Sequence, residues 1–231
     1  MPALSIIVPV LNEEAGIVAA LDALADYRRH GHEVIVVDGG SGDRTAELAR
    51  PLADSVMTAP RGRAAQMNAG AARASGDILV FLHADTRLPP ASDCLIVEGL
   101  RRTRRVWGRF DVAIAGGNPM LRVVAAMMNM RSRASGIATG DQAIFVTHAA
   151  FAEGGGYPDI PLMEDIALSR RLKRASRPLC LRECVTTSGR RWEQHGIVRT
   201  TLLMWRLRLA YFLGAQPAAL ARRYGYVPRQ G

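Results

Sequence analysis

Three polar clusters sit directly behind short apolar runs, and their residue types suit the binding of a phosphorylated ligand. They are Pro9-Val-Leu-Asn-Glu-Glu14, Asp38-Gly-Gly-Ser-Gly-Asp43 and His83-Ala-Asp85. Ligands of open α/β sheets bind beyond the carboxyl ends of the strands, so residues in these positions converge. Asp38 can accept hydrogen bonds from a base or ribose, and glycines such as Gly40 let backbone approach a ligand without a Cβ clash. A plain turn with Ser41 or Asp43 capping the next helix accounts for the same residues. Asp85, after His83 and Ala84, offers hard carboxylate oxygen to Mg²⁺ or Mn²⁺ bridging a diphosphate, or else caps the turn before Pro89-Pro90.

Two further clusters complete the set. Arg61 and Arg63, followed by Gln66, Asn68 and Gly70, bring two guanidinium groups to a helix start, where backbone amides also favour anions. A solvated basic turn is the bland alternative. Glu164-Asp165 places adjacent carboxylates at a helix start after Gly154-Gly-Gly-Tyr157; one could deprotonate a hydroxyl, or both could simply complement the helix dipole. Gly40-Ser-Gly42 makes a poor dinucleotide fingerprint, because it follows the second strand and lacks the third glycine.

The elements that must position these residues are readable from periodicity. Apolar runs at 4–10, 33–38, 55–58 and 78–83 alternate with helical patterns at 14–27, 45–52 and 64–74. Continuous apolar strands separated by helices predict a parallel sheet covered on both faces, so the first ninety residues are Rossmann-like. After Pro90 the pattern changes to α+β. Helices are expected at 91–102, 119–133 and 164–175, and strands at 107–113 and 140–146. No repeat or linker divides the 231 residues, so one domain is expected, with a soft division near residue 115.

The formal charge is +9, and Lys173 is the only lysine, so compositional bias explains the charge as well as a polyanionic partner does. Three cysteines without metal-ligand spacing predict free thiols. The absence of a basic leader or an eighteen-residue apolar run predicts a cytoplasmic location.

Together the clusters resemble family 2 glycosyltransferases of the GT-A fold. The matching elements are Val8-Pro-Val-Leu-Asn-Glu13, Val37-Asp-Gly-Gly-Ser-Gly-Asp43, Arg61-Gly-Arg63 with Gln66 and Asn68, His83-Ala-Asp85, Gly154-Gly-Gly-Tyr157 and Glu164-Asp165. The resemblance implies that Pro9, Leu11, Glu13 and Asp38 line a nucleoside pocket, with Asn12 and Gly40 in the same loops. It further implies that Asp85 holds a divalent cation and that Asp165 is the general base, supported by Glu164. The reaction so implied moves one sugar, with inversion, from a nucleotide-diphosphate sugar, expected to be UDP-linked, to a hydroxyl acceptor of unknown identity.

Two departures stand out. The family's Asp-x-Asp is here His83-Ala-Asp85, leaving one carboxylate for the metal. The Gln-x-x-Arg-Trp of processive synthases is here Ser188-Gly-Arg-Arg-Trp192, which suits a single transfer; Arg191 and Trp192 can still meet diphosphate or acceptor. The short length and the Glu153-Gly-Gly-Gly-Tyr-Pro158 and Arg-Arg-Trp stretches look like a small bacterial subgroup labelled arsenosugar-biosynthesis glycosyltransferases.

A sugar-phosphate nucleotidyltransferase would carry a Gly-rich basic loop where Leu11-Asn-Glu-Glu14 stands. A basic nucleic-acid module would interleave aromatics with its arginines, so no nucleic acid is expected. Residues 197–213 are apolar with interspersed arginines. They suit packing on the body or a homodimer contact, and also a peripheral contact with an anionic membrane face.

Overall fold

A computed structural model of the chain describes residues 2–226. Strands form where Ile and Val dominate, because branched Cβ atoms suit a pleated, buried surface. β1 (Leu4–Val10) and β2 (Glu33–Asp38) are buried almost throughout, and with β3 (Ser55–Thr58) and β4 (Ile78–Phe81) they make the parallel part of the sheet. Val10 is paired with Asp38 in register, so the loops after β1 and β2 leave the sheet side by side.

The sheet continues through mixed strands. β7 (Ile144–Thr147) runs antiparallel to β4, and β6 (Trp107–Ala115) antiparallel to β7. β8 (Leu179–Ser188) is parallel to β6, while β5 (Thr86–Arg87) closes the edge, giving the order β3-β2-β1-β4-β7-β6-β8-β5. Alternate side chains serve two cores, as a strand's period of two requires. Leu4, Ile6, Val8 and Val10 pack with Ile17, Leu21, Leu24 and Tyr27 of α1 (Ile17–Asp22), α2 (Ala25–Arg29) and their junction. α3 (Thr45–Ala49) and α5 (Ser92–Thr103) cover the same face, through residues such as Ala49, Ile96 and Leu100. Ile7, Ile35, Val37 and Phe81 face α4 (Arg63–Arg73), α7 (His148–Glu153) and α8 (Glu164–Leu172).

Four further differences from the sequence reading have local causes. The expected helix at 14–27 is two short helices, because a turn at Leu24, whose N–H bonds to Leu21 O at 2.9 Å, lets Leu21, Leu24 and Tyr27 all enter one core. The strand expected at 140–146 begins only at Ile144; Gly140–Gln142 is a 3-10 turn closed by a capping box between Thr139 and Gln142. β8 was not anticipated, since the register jumps from Phe110–Leu181 to Asp111–Cys184 and the looped-out Arg182 and Glu183 break the alternation. The short α7, α9 (Arg190–His195) and α11 (Pro217–Tyr224) were also missed, whereas α6 (Met120–Ser135) lies where expected, and the apolar stretch 197–213 with its arginines forms α10 (Ile197–Phe212).

One buried amide fastens the strand ends that carry the first two clusters. Gly70 lets α4 lie against the sheet, since a Cβ there would stand 2.5 Å from Ile7 Cγ2. One turn earlier, Gln66 is thereby held over the sheet, and its Nε2 donates to Val10 O and to Val37 O, each at 2.8 Å. Gln66→Leu removes both bonds inside the fold, and a buried polar group left unpaired costs about 1–3 kcal/mol. Urea unfolding should report a loss of about 2 kcal/mol, and an unchanged midpoint would show that Gln66 does not brace these strands.

Candidate active site

A cleft of about 440 Å³ opens beyond the carboxyl ends of β1 and β4. Pro9, Leu11 and Glu13 reach it from β1 and its loop, Arg61, Arg63 and Gln66 from the start of α4, and His83, Ala84 and Asp85 from the segment after β4. Glu164 and Asp165 enter from the first turn of α8, and Arg191 and Trp192 from α9. These five stretches, far apart in sequence, therefore share one cavity, because the strand-end loops of a parallel sheet all emerge on one side.

Four of the expected residues do not line that cleft. Asp38 is buried and turns onto its own loop, accepting from the Ser41 N–H at 3.1 Å and from the Ser41 hydroxyl. Gly40, at φ +88°, sits in the left-handed conformation that this loop requires. Asn12 bridges the two loops by accepting from Gly42 N–H at 2.9 Å while its own N–H donates to Ser41 Oγ. Asn68 commits both halves of its amide to Tyr157, donating to the carbonyl at 2.8 Å and accepting from the N–H at 2.9 Å. The Gly154–Tyr157 loop is a support for α8. Gly155 and Gly156 have φ of +70° and +61°, and Arg171 Nη1 donates to the carbonyls of both.

Sequence reasoning missed Asp141, which stands between the third cluster and α8. Gly140 has room for the His83 ring only because it lacks a side chain: a Cβ would come within 2.5 Å of the imidazole. His83 Nδ1 thereby stands 3.5 Å from Asp141 Oδ1, and the Gly140 N–H donates to Asp165 Oδ2 at 3.0 Å. Reading 140–146 as strand hid this turn. Arg190, Tyr224 and Tyr226 also line the cleft, with Arg191 stacked 3.7 Å from the Tyr224 ring centre.

Burial of neighbouring carboxylates sets the electrostatics. Desolvation first, and then the charge of Asp165, push Glu164 up to about 7, while Arg63 pulls the other way. Asp165 is likewise raised by burial, against the N–H groups of Gly140 and Ile166 that favour its ionised form. Burial also acts on Asp141, but the His83 hydrogen bond and the charges of Arg63 and Arg131 outweigh it and hold its carboxyl low. Glu13 is raised by burial and by the charge of Asp85, partly offset by Arg190, so two carboxylates from different strand ends line the cleft close enough to feel each other's charge.

That juxtaposition tests whether a divalent cation fits. Asp85 presents hard oxygen whose recorded side-chain partner is the adjoining Thr86 hydroxyl at 3.3 Å, and Glu13 brings a second carboxylate into its field. Among the described residues no three His, Cys, Asp or Glu side chains gather into a cage. This donor set fits Mg²⁺ or Mn²⁺ held partly by ligand phosphate, which is how such ions commonly bind, rather than an ion caged by protein alone.

Comparison with known proteins agrees with this architecture. The model of Glycosyl transferase family 2 matches residues 5–152. The probable glycosyltransferase YdaM of Bacillus subtilis (strain 168) is 26% identical over 244 residues, 95% of this chain and 57% of its own length. An undecaprenyl-phosphate 4-deoxy-4-formamido-L-arabinose transferase of Aeromonas hydrophila is 34% identical over 105 residues, 41% of this chain and 32% of its own. The chain thus spans little more than half of the first relative and about a third of the second. The mannosyltransferase PcManGT of Pyrobaculum calidifontis, solved with GDP-Man and Mn²⁺, matches at a TM-score of 0.66 and 25% identity, covering 98% of this chain and 66% of its own. TarS of S. aureus, solved with UDP-GlcNAc, matches at 0.65 and 18% identity over 80% of this chain and 58% of its own, a likeness of fold. With the family match running from β1 into α7, on the GT-A fold that these structures share, the chain belongs to glycosyl transferase family 2.

Proposed function

We propose that the cleft binds a nucleoside-diphosphate sugar and transfers its sugar to an acceptor hydroxyl, with Asp165 as general base. The observation that carries this reading is the convergence of the β1 loop, the start of α4, His83-Ala-Asp85 and Glu164-Asp165 on one cavity. Neighbours solved with UDP-GlcNAc and with GDP-Man support a nucleotide-sugar donor, and a UDP-sugar is the donor put forward. In this reading Pro9, Leu11 and Glu13 contact the nucleoside, with Asp38, Asn12 and Gly40 shaping the loops behind them. Gln66 and Asn68 act as braces. Arg61, Arg63 and Arg191 face the diphosphate, and Trp192 borders the acceptor side.

The step balances as a single displacement with inversion. The acceptor oxygen forms a bond to the anomeric carbon and gives its proton to Asp165. The bond from that carbon to the diphosphate oxygen breaks, and the electron pair leaves on the nucleoside diphosphate. Burial and then the charge of Asp141 raise the base's affinity for that proton, and Glu164 supports it as the neighbouring buried carboxyl. Arg63 adds positive charge where the leaving group gains negative charge. Asp85, with Glu13 near it, would hold a divalent cation that neutralises the same diphosphate.

Ligand binding raises the melting temperature by mass action, so a UDP-sugar with Mn²⁺ at a hundredfold excess over Kd should raise Tm by about 5–10 °C. Asp85→Ala should abolish the part of the shift that depends on Mn²⁺, and the absence of any shift with UDP-, GDP- or TDP-sugars would remove the donor assignment. Asp165→Asn should keep the shift while kcat falls by about 10²–10⁴; retained turnover would exclude Asp165 as base.

The raised carboxyl pair also sets a pH dependence. Glu164 binds its proton more tightly folded than unfolded, so its stabilising effect is complete below about 4.5 and is lost as pH rises through about 7. Unfolding free energy should fall across that window by on the order of 3 kcal/mol. Glu164→Gln should flatten the fall, and an unaltered profile would show that Glu164 is not the group responsible.

A further inference from the structure

α10 turns one side to the protein body and the other to solvent, and both carry apolar residues. Thr200, Met204 and Arg208 line the cleft, and Leu207 is buried with Ile137, Met163 and Ile166. The outward side carries Val198, Leu202, Trp205, Leu209 and Phe212, spaced four, three, four and three residues apart, which is one stripe of a helix. They are 64, 47, 52, 61 and 55% exposed, and Leu213 beyond them is 79% exposed. A surface helix ordinarily turns polar residues outward, so this stripe is the reverse of the expected pattern.

Charge identifies what the stripe meets. Arg199 and Arg206 are exposed along one flank of it. From Ile197 to Gly231 the sequence has six arginines and no aspartate or glutamate. Trp205 places an amphipathic indole in the middle of the stripe, and such rings favour the boundary between headgroups and acyl chains. A second copy fits poorly, because a two-fold contact sets the same patch against itself and would bring the arginine flanks together with no acid on α10 or α11 to neutralise them. A protein partner of this kind would need a complementary acidic rim, whereas a bilayer with anionic headgroups supplies negative charge and an apolar interior together. Among the described residues no helix is long and apolar enough to cross a membrane, so the contact is a surface one.

We infer that the outer face of α10 docks on an anionic lipid bilayer, which brings the mouth of the neighbouring cleft to the lipid–water boundary. Vesicle binding is measured without turnover, so its result is independent of the sugar-transfer reading. The chain should co-sediment with vesicles of phosphatidylglycerol and phosphatidylcholine in equal parts and, at low salt, bind pure phosphatidylcholine at least tenfold more weakly. Trp205→Glu with Leu209→Glu should weaken binding to the mixed vesicles at least tenfold, with Tm unchanged because both side chains are exposed. Arg199→Ala with Arg206→Ala should reduce the preference for anionic lipid. If the mixed vesicles leave the unmodified chain in the supernatant at low salt, the inference is overturned. A dimer in solution that Leu209→Glu dissociates would overturn it too, by assigning the stripe to a second copy.

Discussion

Two adjacent carboxylates held out of water at the start of α8 impose the condition that the rest of the site must meet. Ionising both at once is unfavourable, because burial and mutual repulsion act in the same direction. The fold supplies partial compensation from separate elements: Arg63 from α4 and the Gly140 and Ile166 N–H groups. The compensation is incomplete, and Glu164 stays near 7. A pair in this condition accepts a proton readily, which is the property required of a base acting on an alcohol.

Each compensating group depends on sheet geometry. α4 can approach β1 and β2 only because position 70 lacks a side chain, and that approach puts Gln66 over the strand ends and Arg63 at the cleft. The Thr139–Asp141 turn reaches both His83 and Asp165 because β7 lies beside β4 in the sheet. The Gly154–Tyr157 loop, tied to α4 by Asn68 and to α8 by Arg171, braces the entry to α8. Tyr157 packs edge-on against Phe81 of β4 at 4.9 Å between ring centres, so the brace is anchored in the core.

The parallel half of the fold was readable in sequence because its strands are buried on both faces and appear as unbroken Ile and Val runs. Its strand-end clusters could therefore be placed on one edge without coordinates. β8 was not readable, since a register jump opposite Phe110 and Asp111 removes the period on which strand reading relies. Asp141 was missed for a related reason: Gly140–Gln142 is short, apolar on its C-terminal side and continuous with a real strand. Asn68 follows Arg61 and Arg63 in the cluster read as ligand-facing, yet side-chain direction on α4 turns it toward Tyr157. Sequence spacing located the neighbourhood, while packing decided which side chains face the cleft.

The proposed chemistry requires that groups separated by more than a hundred residues act on one diphosphate. A crystal structure of the chain with UDP and Mn²⁺ tests this most directly. The account predicts density for the diphosphate in the cleft between Asp85 and Arg63, with the metal on Asp85 and Asp165 facing the open side. A nucleotide bound elsewhere, or one in the cleft with Asp165 turned away from it, would contradict the account.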